Sequence, residues 1–191
     1  MFRLPDNHII INQFFYDVLW AKCTSQDSFA YLFSGPAGTG KTELMKIVAN
    51  YLLVKPVTTS ELWLDYFRII CSSVTDKNDA LERRVNRFKE RDLFLDDIGA
   101  EITISDKASG FVAAGITSMC DRIVANKEAG RSYTNIITTN LTAKEIQEVY
   151  GQRVYDRLFQ AFEIVQFKKI LKDKKGNLIS FREKQTEVVK L

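Results

Sequence analysis

The sequence predicts an α/β domain: a three-layer sandwich on a central parallel sheet, with a β-hairpin at the C-terminal end. Three observations predict it. Short apolar runs alternate with amphipathic helical stretches from residue 29 to about residue 168, the order that gives parallel strands joined by crossover helices. The runs "FAYLF" and "LFLDD" are continuously apolar before their last residues, as expected of strands covered on both faces. The strand candidates also end on glycine or polar residues, and open parallel sheets bind ligands at the carboxyl ends of their strands.

The elements follow in order. "IINQFFYDVLWAKC" is an amphipathic helix with Ile11, Phe14, Phe15, Val18 and Leu19 on one side. "SFAYLFSG" is a strand, and "GKTELMKIVANYLL" a helix with the core stripe Leu44, Ile47, Val48 and Leu52. "KPVTT" can form a strand, after which Ser60 caps "SELWLDYFRIICSSV", a helix with an acidic first turn. "DALERRVNRFKER" is a helix with a basic exposed side, and "DLFLDDIG" an apolar strand ending in two carboxylates. "GFVAAGITSMCDRIVANKEA" is helical and stops at Gly130, and "TNIITTN" is a strand rich in β-branched residues. "TAKEIQEVYGQRVYDRLFQAF" forms one helix or two. "FEIVQFKKIL" and "NLISFREKQ" flank "KDKKGN" as the arms of a terminal hairpin.

With 191 residues, this organisation predicts one domain: a short N-terminal helix within 1–28, a core over 29–168 and the hairpin over 169–191. Cys23, Cys71 and Cys120 are far apart with only His8 to assist them. That argues against a zinc site and for buried thiols in a reducing compartment. No apolar run approaches the roughly 20 residues that span a bilayer. The start "MFRLPDNHII" lacks a basic-then-apolar leader, so an intracellular protein with no membrane role is expected.

The chemistry begins at "SGPAGTGKT", between the first strand and its helix. Gly35, Pro36, Ala37, Gly38, Thr39, Gly40, Lys41 and Thr42 match G-x-x-x-x-G-K-[ST] in full. Glycines let backbone N–H groups close round a phosphate, and the following helix turns its positive end toward the anion. Lys41 adds a charge for the β- and γ-phosphates of ATP, and the Thr42 hydroxyl can ligate Mg²⁺. A dinucleotide loop is excluded, because no G-x-G-x-x-G is present.

At the end of "LFLDDIGAE", Asp96 is the expected Mg²⁺ partner, and Asp97 is placed to orient and deprotonate a water. Glu101 reads as a solvated acid, or as a hydrogen-bond partner within this loop. In "TNIITTN", Asn140 can hold the attacking water or touch the γ-phosphate, since an amide both donates and accepts. A capping role for the Thr and Asn residues is the other reading.

Taken together, "GPAGTGKT", "LFLDDIGAE", "DRIVANKEAGRSYTNIITTNL" and "YGQRVYDRL" resemble the AAA+ ATPases, specifically the DnaC/DnaI helicase-loader and IstB-like group, over residues about 30 to 160. The resemblance implies the AAA+ (P-loop) fold, with Asp96–Asp97 as the Walker B pair and Asn140 as sensor 1. It implies that Arg157 is an arginine finger offered to the next subunit of a head-to-tail assembly, with Arg153 its helical companion. Without the resemblance, the two arginines read as a surface pair near Asp156. Set against such loaders, this sequence is expected to have no partner-binding domain before Gly35 and no separate helical lid after residue 160; Arg182 in "ISFRE" is a candidate second sensor or an ordinary exposed strand arginine. Arg83, Arg84 and Arg87, beside Lys89 and Arg91, are candidates for salt-sensitive contacts to single-stranded DNA; a solvated helix face is the alternative.

The function these readings imply is an ATP-hydrolysing protein of DNA replication, a helicase loader or loader-like factor assembling on single-stranded DNA. A transposition-regulating ATPase working with a transposase is the first alternative, and a small-molecule kinase the second. The small size suggests a phage or mobile element as source.

Overall fold

The computed structural model describes residues 21–22, 24–25, 28–71, 83, 92–103 and 106–167. Among these, five strands form one parallel sheet: β1 (Phe29–Ser34), β2 (Val57–Thr58), β3 (Asp92–Ile98), β4 (Thr134–Thr139) and β5 (Glu163–Gln166), in the spatial order β2-β3-β4-β1-β5. The helices are α1 (Lys41–Leu52), α2 (Thr59–Cys71), α3 (Asp106–Glu128), α4 (Ala143–Tyr150) and α5 (Gln152–Ala161).

Strand alternation sorts the apolar side chains into two cores. Phe29, Tyr31 and Phe33 of β1 join Phe94 and Ile136 beneath α1, with Phe167 closing the cluster. Their rings form a ladder, with centroids 5.6 Å apart for Phe29–Tyr31 and 5.3 Å for Phe33–Phe167. On the other face Leu32, Leu93, Leu95 and Ile137 pack with α2 to α5. The three-layer sandwich expected from the alternation is therefore present.

Several local expectations are corrected. The buried stripe of α1 is Leu44, Met45, Val48 and Ala49; Ile47 and Leu52 are only partly covered. The helix rotates so that small Ala49 meets the sheet. The start of α2 is fixed by Thr58, not Ser60: the Glu61 amide donates to Thr58 Oγ1 at 3.1 Å, and the Thr58 amide donates back to Glu61 Oε2 at 3.0 Å. That is a reciprocal cap.

α3 ends as the glycine predicts. Gly130 (φ 63) allows the Arg131 amide to reach Asn126 O at 2.9 Å and the Gly130 amide to reach Lys127 O at 3.3 Å, which closes the last turn. The stretch 142–162 is two helices. Gly151 has φ 85 and ψ 163, a region essentially reserved for glycine, and it breaks the chain between α4 and α5. Residues 163–166, expected as a hairpin arm, pair in parallel with β1 from Tyr31↔Glu163 to Ser34↔Gln166. They satisfy backbone groups on the side of β1 away from β4. The hairpin over 169–191 and the helix at 10–23, apart from residues 21 and 22, lie outside the described residues.

Cys120 is buried as expected, and burial, with Asp121 second, pushes its thiol up to about 12, so it packs as a neutral core group. Cys71 is exposed, contrary to expectation; it is the last residue of α2. Cys23 lies outside the described residues. Among the described residues no helix is long and apolar enough to cross a membrane.

Candidate functional site

The phosphate loop runs between β1 and α1, at the carboxyl end of the sheet. Its entry is tight. A Cβ on Gly35 (φ 149) would lie 2.2 Å from Phe167 O, because residue 167 crosses directly over the loop and its amide donates to Ser34 O at 2.7 Å. Gly35→Ala is accordingly expected to destabilise the fold by about 2 kcal/mol or more, read as a lower thermal midpoint by circular dichroism. An unchanged midpoint would contradict this packing.

Gly40 caps α1 without any side-chain acceptor, so the helix's first N–H groups are left facing the loop. Lys41 is 5% exposed, and its ammonium sits inside the loop. It donates to Gly35 O at 2.7 Å, Pro36 O at 2.8 Å and Asn140 Oδ1 at 2.9 Å. A second chain of bonds starts one residue on. Thr42 Oγ1 donates to Asp96 Oδ1 at 2.9 Å, and Thr138 Oγ1 donates to the same oxygen at 2.5 Å.

Asp96 and Asp97 are consecutive, yet both belong to this network. In a regular strand they would point to opposite faces. The β3–β4 register slips between Leu95↔Ile137 and Ile98↔Thr139, a bulge that adds a residue to β3, and Asp97 takes φ 58. The turn is held on each side: the Asp97 amide donates to Thr138 Oγ1 at 2.8 Å, and Thr59 Oγ1 donates to Asp97 O at 3.0 Å. The side chain then meets Asn140, whose Nδ2 donates to Asp97 Oδ1 at 2.7 Å. One continuous path links Lys41, Asn140 and Asp97, and a parallel one links Thr42 and Asp96.

The donor set fits a magnesium nucleotide. Thr42 and Asp96 offer a hydroxyl and a carboxylate, hard oxygens suited to Mg²⁺. Lys41 and the open start of α1 offer positive charge to phosphates.

The remaining candidates lie elsewhere. Arg153 is exposed on α5, and Arg157 pairs through Nε with Asp121 Oδ1 at 3.4 Å and through Nη1 with Gln160 Oε1 at 3.1 Å. Arg83 is helical and exposed; Arg84, Arg87 and Arg182 lie outside the described residues. Sequence reasoning missed Thr138 and Thr59 as site residues, since threonines at element ends carry no distinctive spacing. Of the two readings of Glu101, the hydrogen-bond partner within the loop holds and the solvated acid does not: the side chain is fully buried, accepts from the Gly99 amide and also accepts from the Tyr150 hydroxyl.

The profile of the family described as "ATPase family associated with various cellular activities (AAA)" matches residues 31–162. The chain belongs to the AAA family. Among curated proteins, this AAA chain is 29% identical over 136 residues to the replicative helicase loader DnaC of Buchnera aphidicola subsp. Baizongia pistaciae (strain Bp), covering 68% of itself and 50% of that protein. It thus spans half the length of that relative. The crystal structure of the DnaC helicase loader superposes with a TM-score of 0.62 at 17% identity, over 87% of this chain and 94% of that one. Domain III of the Thermotoga maritima replication initiation protein DnaA gives 0.59 at 15% identity, over 88% and 65%. At these identities the structural likenesses bear on the fold.

Proposed function

We propose that this AAA protein binds ATP with Mg²⁺ and hydrolyses it in DNA replication, as a helicase loader or loader-like factor assembling on single-stranded DNA. The observation that carries the hydrolytic reading is the Lys41–Asn140–Asp97 path: a phosphate-binding cation and a carboxylate base joined by one amide. Asp97 takes the proton of the attacking water, Asn140 orients that water, and Lys41 neutralises charge on the transferring phosphoryl group. Thr42 and Asp96 hold Mg²⁺, which neutralises phosphate charge when bound.

The replication role is supported by the similarity to DnaC over the shared region. Arg157 completes a neighbouring subunit's site, with Arg153 as second contact or interface strut, so the working form is a head-to-tail assembly. Arg83 and its basic neighbours supply salt-sensitive contacts to single strands.

The test is phosphate release by wild type with and without single-stranded DNA, with sizing in the presence of an ATP analogue. The expected result is DNA-stimulated hydrolysis by a species larger than one chain. Absence of both nucleotide binding and hydrolysis would sink the proposal. Transfer of phosphate to a metabolite instead of water would replace it with a kinase. Capture of a transposase rather than a replicative helicase would move the role to transposition.

A further inference from the structure

Glu101 stands on the 3-10 turn Ala100–Thr103, just past the Asp97 bulge, with its side chain fully buried. One carboxyl oxygen, Oε2, accepts the Gly99 amide at 3.0 Å. The other, Oε1, accepts the hydroxyl of Tyr150, the last residue of α4, itself 7% exposed. Burial first, and then the Glu101 carboxyl, raise the Tyr150 pKa, so its hydroxyl keeps its proton and remains the donor. The same turn is gripped from the Asn140 side. Leu141 packs so closely on Gly99 that a Cβ there would meet Leu141 Cδ1 at 2.8 Å, and Thr139 Oγ1 donates to Ile98 O at 2.9 Å.

A buried carboxyl disfavours folding unless its oxygens are satisfied, and an apolar pair would fill this space at less cost. Such a network does specify backbone geometry. The geometry at stake is the left-handed Asp97 (φ 58), a conformation that persists in a residue other than glycine only where surrounding contacts over-determine it. Glu101 and Tyr150 touch neither Lys41 nor Asn140 in their hydrogen bonds; they act on the turn that carries the base.

We propose that Glu101 and Tyr150 are positioning residues for hydrolysis: anchored on the end of α4, the Glu101 carboxyl pins the Gly99 amide and so holds Asp97 aimed at Asn140. This rests on the reading of Asp97 as the base. The pair sets turnover and leaves ATP affinity alone, because Lys41 and Thr42 are held by other contacts.

The test compares full-length wild type with Tyr150→Phe, Glu101→Ala and Glu101→Gln. Titration of an ATP analogue is expected to give dissociation constants within about twofold of one another, whereas kcat falls about 10- to 100-fold in Tyr150→Phe and Glu101→Ala. Glu101→Gln is expected to recover most of the turnover. Its amide oxygen still accepts from Gly99, and its NH₂ can donate to the Tyr150 oxygen. Hydrogen exchange of the Gly99 amide in nucleotide-free protein is a second readout, independent of turnover, and should quicken in Tyr150→Phe. Normal turnover in Tyr150→Phe beside an active wild type overturns the positioning role, and so does unchanged Gly99 exchange. An inactive wild type counts against the hydrolase reading instead, and the exchange measurement still decides the role of the pair. Should Glu101→Ala fail to fold, the nearly isosteric Tyr150→Phe decides.

Discussion

Lys41→Ala is expected to weaken ATP binding on the order of 100-fold, about 3 kcal/mol, from loss of the charge-assisted bonds the ammonium makes to phosphate. The structure makes this effect specific. Lys41 is 5% exposed, and its charge is directed into the loop by Gly35 O, Pro36 O and Asn140 Oδ1 rather than lying free on the surface. Truncation removes the cation and leaves two carbonyls and an amide that water can satisfy, so the fold should survive. Titration with a fluorescent ATP analogue measures the affinity. Thermal unfolding gives an independent reading, since a ligand that binds only the folded state raises its stability. Wild type should gain a higher midpoint with ATP, and Lys41→Ala should not. Equal affinities would mean that the nucleotide does not sit on this loop.

The second large effect concerns the arginine on α5. Arg157→Ala should leave ATP binding by isolated subunits unchanged while lowering stimulated hydrolysis on the order of 10³-fold, the scale of a guanidinium acting on a transferring phosphoryl group. The side chain is held by Asp121 at 3.4 Å, with exposures of 38% and 48% for the two partners. An exposed pair of this kind contributes about 0–1 kcal/mol. The arginine can therefore leave Asp121 at little cost, and its removal should not unfold the chain. Mixing Arg157→Ala with Asp97→Asn gives the sharpest check. On the proposed roles, the first variant would keep an intact site without a finger and the second a finger without a base, so only a trans arrangement would restore activity on mixing. No recovery on mixing, or a turnover per chain independent of protein concentration, would exclude it.

The parts of the site legible in the sequence were those whose chemistry demands a fixed spacing. The loop Gly35–Thr42 could be read whole because a phosphate cradle needs glycines, a lysine and a hydroxyl in one short order. Asp96, Asp97 and Asn140 could be read because they stand at or next to the carboxyl ends of strand candidates, and those ends face the ligand in a parallel sheet. Thr59 and Thr138 were not legible. Each is a single hydroxyl whose role depends on a partner, the Asp97 carbonyl for one and the Asp97 amide and Asp96 for the other, that tertiary contact brings within 3.0 Å. For Glu101 the sequence left two readings open for a related reason: an acid after a glycine-containing turn resembles a solvent-facing residue until Tyr150 is folded against it, and only that contact decides for the buried, hydrogen-bonded one.

By itself, the sequence determined the alternation of strands and helices, the phosphate loop, and the polar residues at or next to the carboxyl ends of β3 and β4. These follow from hydrophobic periodicity and local backbone chemistry, which act over a few residues. Tertiary structure alone decided the bulge that brings Asp96 and Asp97 into one network, the parallel seat of Glu163–Gln166 beside β1, and the closing of Glu101 onto Tyr150. Each depends on a surface supplied by a distant part of the chain. A bulge forms where β4 offers Thr138 to hold it, a strand where β1 offers an edge, and a buried carboxyl where α4 offers a donor.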